Sequence, residues 1–169
     1  PKVKNLGANM LSIYNNVDIT KIEGFTDYTA LKLYGELGKD FSKWKTEKHF
    51  TSWLGLAPGQ NWSGKKRKSR KKRSANIAGG VFREIAFSLL NSKKSAIGVF
   101  GRRLRSRKGP SIAIKAMARK LAILFYKLHT EGLEYIKKST EQYKEELMKR
   151  KRKNLTKIAK DLNVQIVDN

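Results

Sequence analysis

The stretch "SIAIKAMARKLAILFYKLHT" (Ser111–Thr130) decides the fold. Ile114, Met117, Ala118, Leu121, Leu124, Phe125 and Leu128 recur at the three- and four-residue spacing of one helix face. That stripe predicts a central core helix, ended by Gly132. Its greasiest run, Leu121–Tyr126, is closed by Lys120 and Lys127 after six residues, far short of the roughly 20 that a membrane span needs. A protein without a membrane partner is expected.

The same period extends outward. Val81, Phe82, Ile85, Ala86 and Leu89 form a second stripe behind Asn76, a helix N-cap, although Gly79-Gly80 is expected to weaken or delay its first turns. Phe50, Trp53 and Leu54 mark a shorter helix capped by Thr46 or Ser42, and Ala30, Leu33, Tyr34 and Leu37 share a face of another. Val17–Ile22 carries helix-start residues. Towards the C-terminus, Leu133 to about Asp161 is mixed in charge and amphipathic, with Ile136, Tyr143, Leu147, Leu155, Ile158 and Leu162 spaced for docking on a partner surface. The tail "NVQIVDN" (Asn163–Asn169) has the makings of one short strand. The predicted class is all-α. Residues 1–16 are read as a linker or helix end from an upstream region, an expectation strengthened by the start at Pro1. Residues 17–130 are read as one domain with a basic loop at 59–75, and residues 131–169 as a helical extension.

Charge locates the function. The chain has 169 residues, with 38 basic against 14 acidic ones. Residues 61–110 hold 16 of the basic residues and a single acid, Glu84, so the excess is a central block rather than a general bias. A nucleic-acid surface is the partner class that fits. Cysteine is absent, which excludes disulfides and thiolate chemistry. His49 and His129 lie too far apart in sequence for ligand spacing and are read as structural. No signal peptide is expected, since Pro1-Lys2-Val3-Lys4 leads into no apolar run.

Three constellations bear on chemistry. In "SGKKRKSRKKR" (Ser63–Arg73), eight of the nine residues after Gly64 are basic: Lys65, Lys66, Arg67, Lys68, Arg70, Lys71, Lys72 and Arg73. Such a run is costly through self-repulsion unless a polyanion answers it. Ser63 stands at its entrance, where a glycine neighbour permits an exposed turn and cations can offset charge developing on phosphate. Spacing alone fits an ordinary loop serine better than a nucleophile. A second cluster, Arg102, Arg103, Arg105, Arg107 and Lys108, reads as a further phosphate-binding face or a solvated one. The third is Ile22–Thr26 between two short helices, a helix-hairpin-helix-like turn in which Gly24 would let backbone amides approach phosphate, or else a plain turn between core helices. Thr26 stands where a second glycine is usual. No self-contained metal site is legible.

Two long segments, Ile22–Ser69 and Asn76–Tyr135, resemble the C-terminal transposase domain of the DEDD/serine insertion-sequence transposases, the bridge-RNA-guided recombinases. The resemblance rests on the helical hairpin, Leu54-Gly-Leu-Ala-Pro58, Ser63-Gly64 before the basic run, Asn76, the arginine-bearing helix with Arg83, Ile97-Gly-Val-Phe100 and Arg102-Arg103, in that order. It implies that Ser63 is the nucleophile that links covalently to a cut DNA strand. The pattern does not fix which cation supports its transition state; Arg67 is named for its planar guanidinium beside Ser63. It also implies an upstream domain of metal-binding acids, hence magnesium there and no cofactor in this chain. The partners implied are DNA, a structured bridge RNA and further copies of the full-length protein, in a prokaryotic cytoplasm at the nucleoid. The rival expectation, from a different class, is a non-catalytic basic module that only binds RNA or DNA.

Overall fold

The computed structural model describes residues 4–58, 62–63, 66–67, 76–92 and 95–164, with backbone only at 62–63 and 66–67 and at 139–140 and 143–144 within the last helix. The elements are α1 (Leu6–Ile13), a 3₁₀ turn (Ile19–Lys21), α2 (Asp27–Leu37), α3 (Glu47–Trp53), the two-residue strands β1 (Trp62–Ser63) and β2 (Lys66–Arg67), α4 (Ile77–Asn91), α5 (Ala96–Lys108), α6 (Pro110–Glu131) and α7 (Leu133–Asp161). The fold is all-α apart from that short ladder. It divides into two compact units, Pro1–Ile136 and Lys137–Asn169.

In the first unit α6 is the axis, with α3, α4 and α5 packed on it. Its ends are set locally. Gly109 (φ 85) precedes Pro110 at the first helical position, and Gly132 (φ 80) closes the other end, its N–H donating to the Leu128 carbonyl at 3.1 Å. Met117, Ala118, Leu121, Phe125 and Leu128 are buried as the stripe requires, while Ile114 and Leu124 pack half-buried at its edge. Phe125 gathers the other elements around it. Its ring stacks on Phe25 at 5.8 Å and meets Phe41 and Phe82 edge-on, both at 5.6 Å. Phe50, Phe82 and Phe125 are fully buried, each contributing about 1.5–3 kcal/mol by leaving water. The Tyr126 hydroxyl donates to the Trp44 carbonyl at 2.7 Å and ties α6 to the loop before α3.

Helix α1 joins this core: it buries Met10, and its C-cap Tyr14 is buried with its hydroxyl donating to the Ala30 carbonyl at 3.2 Å. Thr46, rather than Ser42, caps α3. The two glycines do not delay α4, which starts at Ile77 with the Asn76 side chain accepting from the Gly79 N–H at 2.7 Å. One cap in the right place outweighs the propensity cost of two glycines, because it satisfies an otherwise orphaned donor.

The second unit consists of α7 from Lys137 onward and the turn at its C-terminal end. Asn163 takes the left-handed conformation (φ 54), and the Val164 N–H returns to the Ala159 carbonyl at 2.9 Å, a Schellman closure that ends α7. The rest of the expected tail strand, residues 165–169, lies outside the described residues. Among the described residues no helix is long and apolar enough to cross a membrane.

Candidate nucleic-acid interface

The loop that carries Ser63 leaves from α3 and returns at α4, and both of its feet are fastened. At the first foot, Gly55 (φ 68) donates to the Ser52 carbonyl at 3.0 Å and the Leu56 N–H to the Thr51 carbonyl at 2.9 Å. This Schellman closure explains Leu-Gly-Leu at 54–56: the glycine supplies the left-handed residue and Leu56 is buried behind it. At the second foot, Asn76 acts twice. Its side-chain carbonyl caps α4, and its Nδ2 donates to the Trp53 carbonyl at 3.2 Å, across 23 residues of chain. A Cβ on Gly79 would lie 2.2 Å from the Leu54 carbonyl oxygen, so the α3 end and the α4 start are in van der Waals contact. Entry and exit of the loop therefore meet at one point.

Within the loop, β1 and β2 pair antiparallel, with Trp62 opposite Arg67 and Ser63 opposite Lys66. The backbone partner of Ser63 is thus Lys66, and Arg67 sits one position further along. Gly64, Lys65, Lys68, Arg70, Lys71, Lys72 and Arg73 lie outside the described residues.

The second basic cluster occupies the last turns of α5. Arg103, Arg105, Arg107 and Lys108 are exposed and make no ion pair among the described residues. Arg102 is different. It is half-buried, and its guanidinium donates to the Leu90 and Ser92 carbonyls at 3.0 and 2.6 Å, closing the C-terminal end of α4. Sequence grouped Arg102 with its neighbours because nothing local marks a guanidinium that is directed at another helix's orphan carbonyls. Those contacts give it a structural task that its neighbours lack.

Gly24 is also accounted for by packing. It has φ 86, and a Cβ there would lie 2.9 Å from both Ile85 and Leu89 of α4. The element before the turn is one 3₁₀ turn, not an α-helix, and Thr26 caps α2 in a reciprocal box with Thr29. The glycine and the threonine are both explained by folding alone.

His129 packs against Phe41 at 4.2 Å between ring centroids, and its Nδ1 faces the Phe125 carbonyl at 2.7 Å. Nδ1 must therefore carry the proton, which leaves Nε2 buried without a hydrogen-bond partner among the described residues. Burial holds its pKa below the ordinary histidine value. His49 Nδ1 meets the Thr46 hydroxyl at 2.9 Å, a local contact at the α3 cap. Among the described residues no three of His, Asp and Glu converge as metal ligands would.

Residues 18–95 match the family model described as the transposase IS116/IS110/IS902 family. The match covers a little under half of the chain and runs from Asp18, the cap of the 3₁₀ turn, to Ser95, the cap of α5. It takes in Ser63-Gly64 and the whole first basic run. Over this segment the chain is similar to insertion-sequence transposases, a class of DNA-transfer proteins. No curated protein and no solved structure matches it.

Proposed function

We propose that this chain is the serine-bearing part of a DNA transposase, binding DNA and a structured guide RNA and supplying Ser63 as the nucleophile of strand cleavage. The observation that carries the reading is the transposase match across residues 18–95, which contains Ser63. In the proposed step the Ser63 oxygen attacks a backbone phosphorus, a phosphoserine ester forms, and the bond to the leaving strand's oxygen breaks as that oxygen takes a proton. Rejoining reverses the step with a different strand end. Backbone pairing of Ser63 with Lys66, and of Trp62 with Arg67, supports a serine set beside cations suited to offset the developing charge. Lys65–Arg73, Arg103, Arg105, Arg107 and Lys108 hold the polyanion. The described residues offer no cluster of acids for a metal ion, so no metal-assisted step is assigned to them.

The test is Ser63→Ala in a longer chain that also supplies an acidic metal-binding domain. Removing one hydroxyl takes away no charge, so nucleic-acid affinity should stay within about twofold, while the protein–DNA adduct that survives denaturation disappears. An adduct that persists moves the role to Ser69 or Ser74. A parent that binds but never forms an adduct is a binding module only.

A further inference from the structure

The most concentrated unpaired charge among the described residues lies outside both central basic clusters, on α7. Between Lys149 and Asp161 there are seven cations, Lys149, Arg150, Lys151, Arg152, Lys153, Lys157 and Lys160, against the single acid Asp161. All seven are exposed. Arg150 pairs with Glu146 at 3.2 Å, and the other six make no ion pair among the described residues.

Helical geometry sorts them. At about 100° per residue, Lys149, Lys153, Lys157 and Lys160 fall within an arc of about 80°, with Arg152 and Arg150 on its two flanks. Leu147, Met148, Leu155, Ile158 and Leu162 fall on the opposite side, with Lys151 among them. The four lysines thus form a ridge about 16 Å long. Two ordinary explanations for such residues are insufficient. A favourable interaction with the helix macrodipole reaches only the last turn, which contains Lys160 alone of the four. Intrahelical pairing answers little of it: Glu145 and Asp161 stand four residues from Lys149 and Lys157 but form no ion pair with them among the described residues, while Lys149/Lys153 and Lys153/Lys157 are like-charge neighbours four apart, an arrangement that opposes the helix.

We propose that this ridge is a further DNA contact, seating α7 against the phosphates that wall the major groove of a duplex. The inference rests on the DNA-binding reading above and adds a surface to it. A major groove about 12 Å wide admits an α-helix, and a ridge about 16 Å long passes roughly five base pairs at 3.4 Å per pair. Cations on both flanks of the ridge face both walls. An acidic lipid surface fits less well: between Leu147 and Leu162 the apolar side has no aromatic residue, and Lys151 interrupts it.

The experiment uses the full chain and unrelated duplexes of about 20 base pairs, with affinity followed by fluorescence anisotropy from 50 to 200 mM salt. The variant Lys149→Gln/Lys153→Gln/Lys157→Gln/Lys160→Gln keeps helix propensity while removing the ridge, and circular dichroism checks that helicity is retained. Three or four lost phosphate contacts should flatten the log–log salt slope by about 3 to 4 units, equally on every sequence. A matched variant changing Lys4, Lys39, Lys45 and Lys48 to Gln should leave the slope within about one unit. If the ridge variant keeps the parental slope while the parent binds DNA, the ridge idea is wrong and the DNA-binding reading stands. A parent with no salt-dependent DNA binding defeats both. Equal flattening by the two variants would mean general surface charge rather than a contact. Binding of the ridge to phosphatidylserine vesicles with DNA affinity unaffected would make it a lipid surface and overturn the proposal.

Discussion

Gly79 and Gly80 are sequence neighbours in the first turn of α4, yet alanine at each should act with opposite sign. Among the described residues nothing lies within 4 Å of a Cβ built on Gly80. Gly80→Ala therefore gains helix propensity and reduces unfolded-chain entropy at no steric cost, a stabilisation of about 0.5–1 kcal/mol. The same gain at Gly79 meets an obstacle: its Cβ would stand 2.2 Å from the Leu54 carbonyl oxygen and 2.9 Å from Asn76 Oδ1. The first is backbone, which cannot rotate aside, so α3 and α4 must separate. Overpacking of this kind costs about 1–3 kcal/mol, leaving a net loss of roughly 1–2 kcal/mol after the propensity gain. Since both share the propensity gain, the two variants should thus differ by the overpacking cost, about 1–3 kcal/mol. That corresponds to a difference on the order of 1 M in urea midpoint at an ordinary slope. Urea titrations followed by circular dichroism at matched m-values read the difference. If both alanines stabilise, or if Gly79→Ala is silent, the close approach of α3 to α4 is not what requires glycine at 79.

The double role of Asn76 separates by substitution: Asn76→Ala, losing cap and clamp, should cost about 1–2 kcal/mol. Asn76→Asp keeps a capping oxygen and loses only the donor to Trp53. Hydrogen exchange at the α3 end should therefore quicken in both variants, and unchanged protection in the aspartate variant would deny the clamp. His129 makes stability depend on pH. Its folded pKa is depressed by burial, so stability is fully present above the unfolded value of about 6.5 and declines as pH falls below it. Melting temperatures measured from pH 7.5 downward should show that decline, and His129→Leu should flatten it. A parental chain with no loss of stability on approaching its folded pKa would mean that the ring takes up its proton without hindrance.

What the sequence determined by itself was much of what depends on neighbours along the chain, although Gly79-Gly80 does not delay α4 as local propensity suggests. The α6 stripe and its Gly132 stop are signals within a few turns, as is Asn76 at the head of α4, so an all-α fold with a core helix at about 111–130 could be written down directly. Charge is equally local, and the runs at 65–73 and 102–108 are visible at sight. Tertiary structure decided what each of these residues is spent on. Arg102 closes the end of α4 because that helix's orphan carbonyls lie within reach of its guanidinium, a distance that no spacing encodes. Gly24 and Gly79 are glycines because another helix or carbonyl comes within 3 Å of where a Cβ would be. The expected first helix of the hairpin is a single 3₁₀ turn, its glycine packed on α4. Lys66 is the backbone partner of Ser63 because of ladder register. Periodicity and capping act over one or two turns of chain, whereas these assignments depend on surfaces brought together across tens of residues, and only packing fixes those.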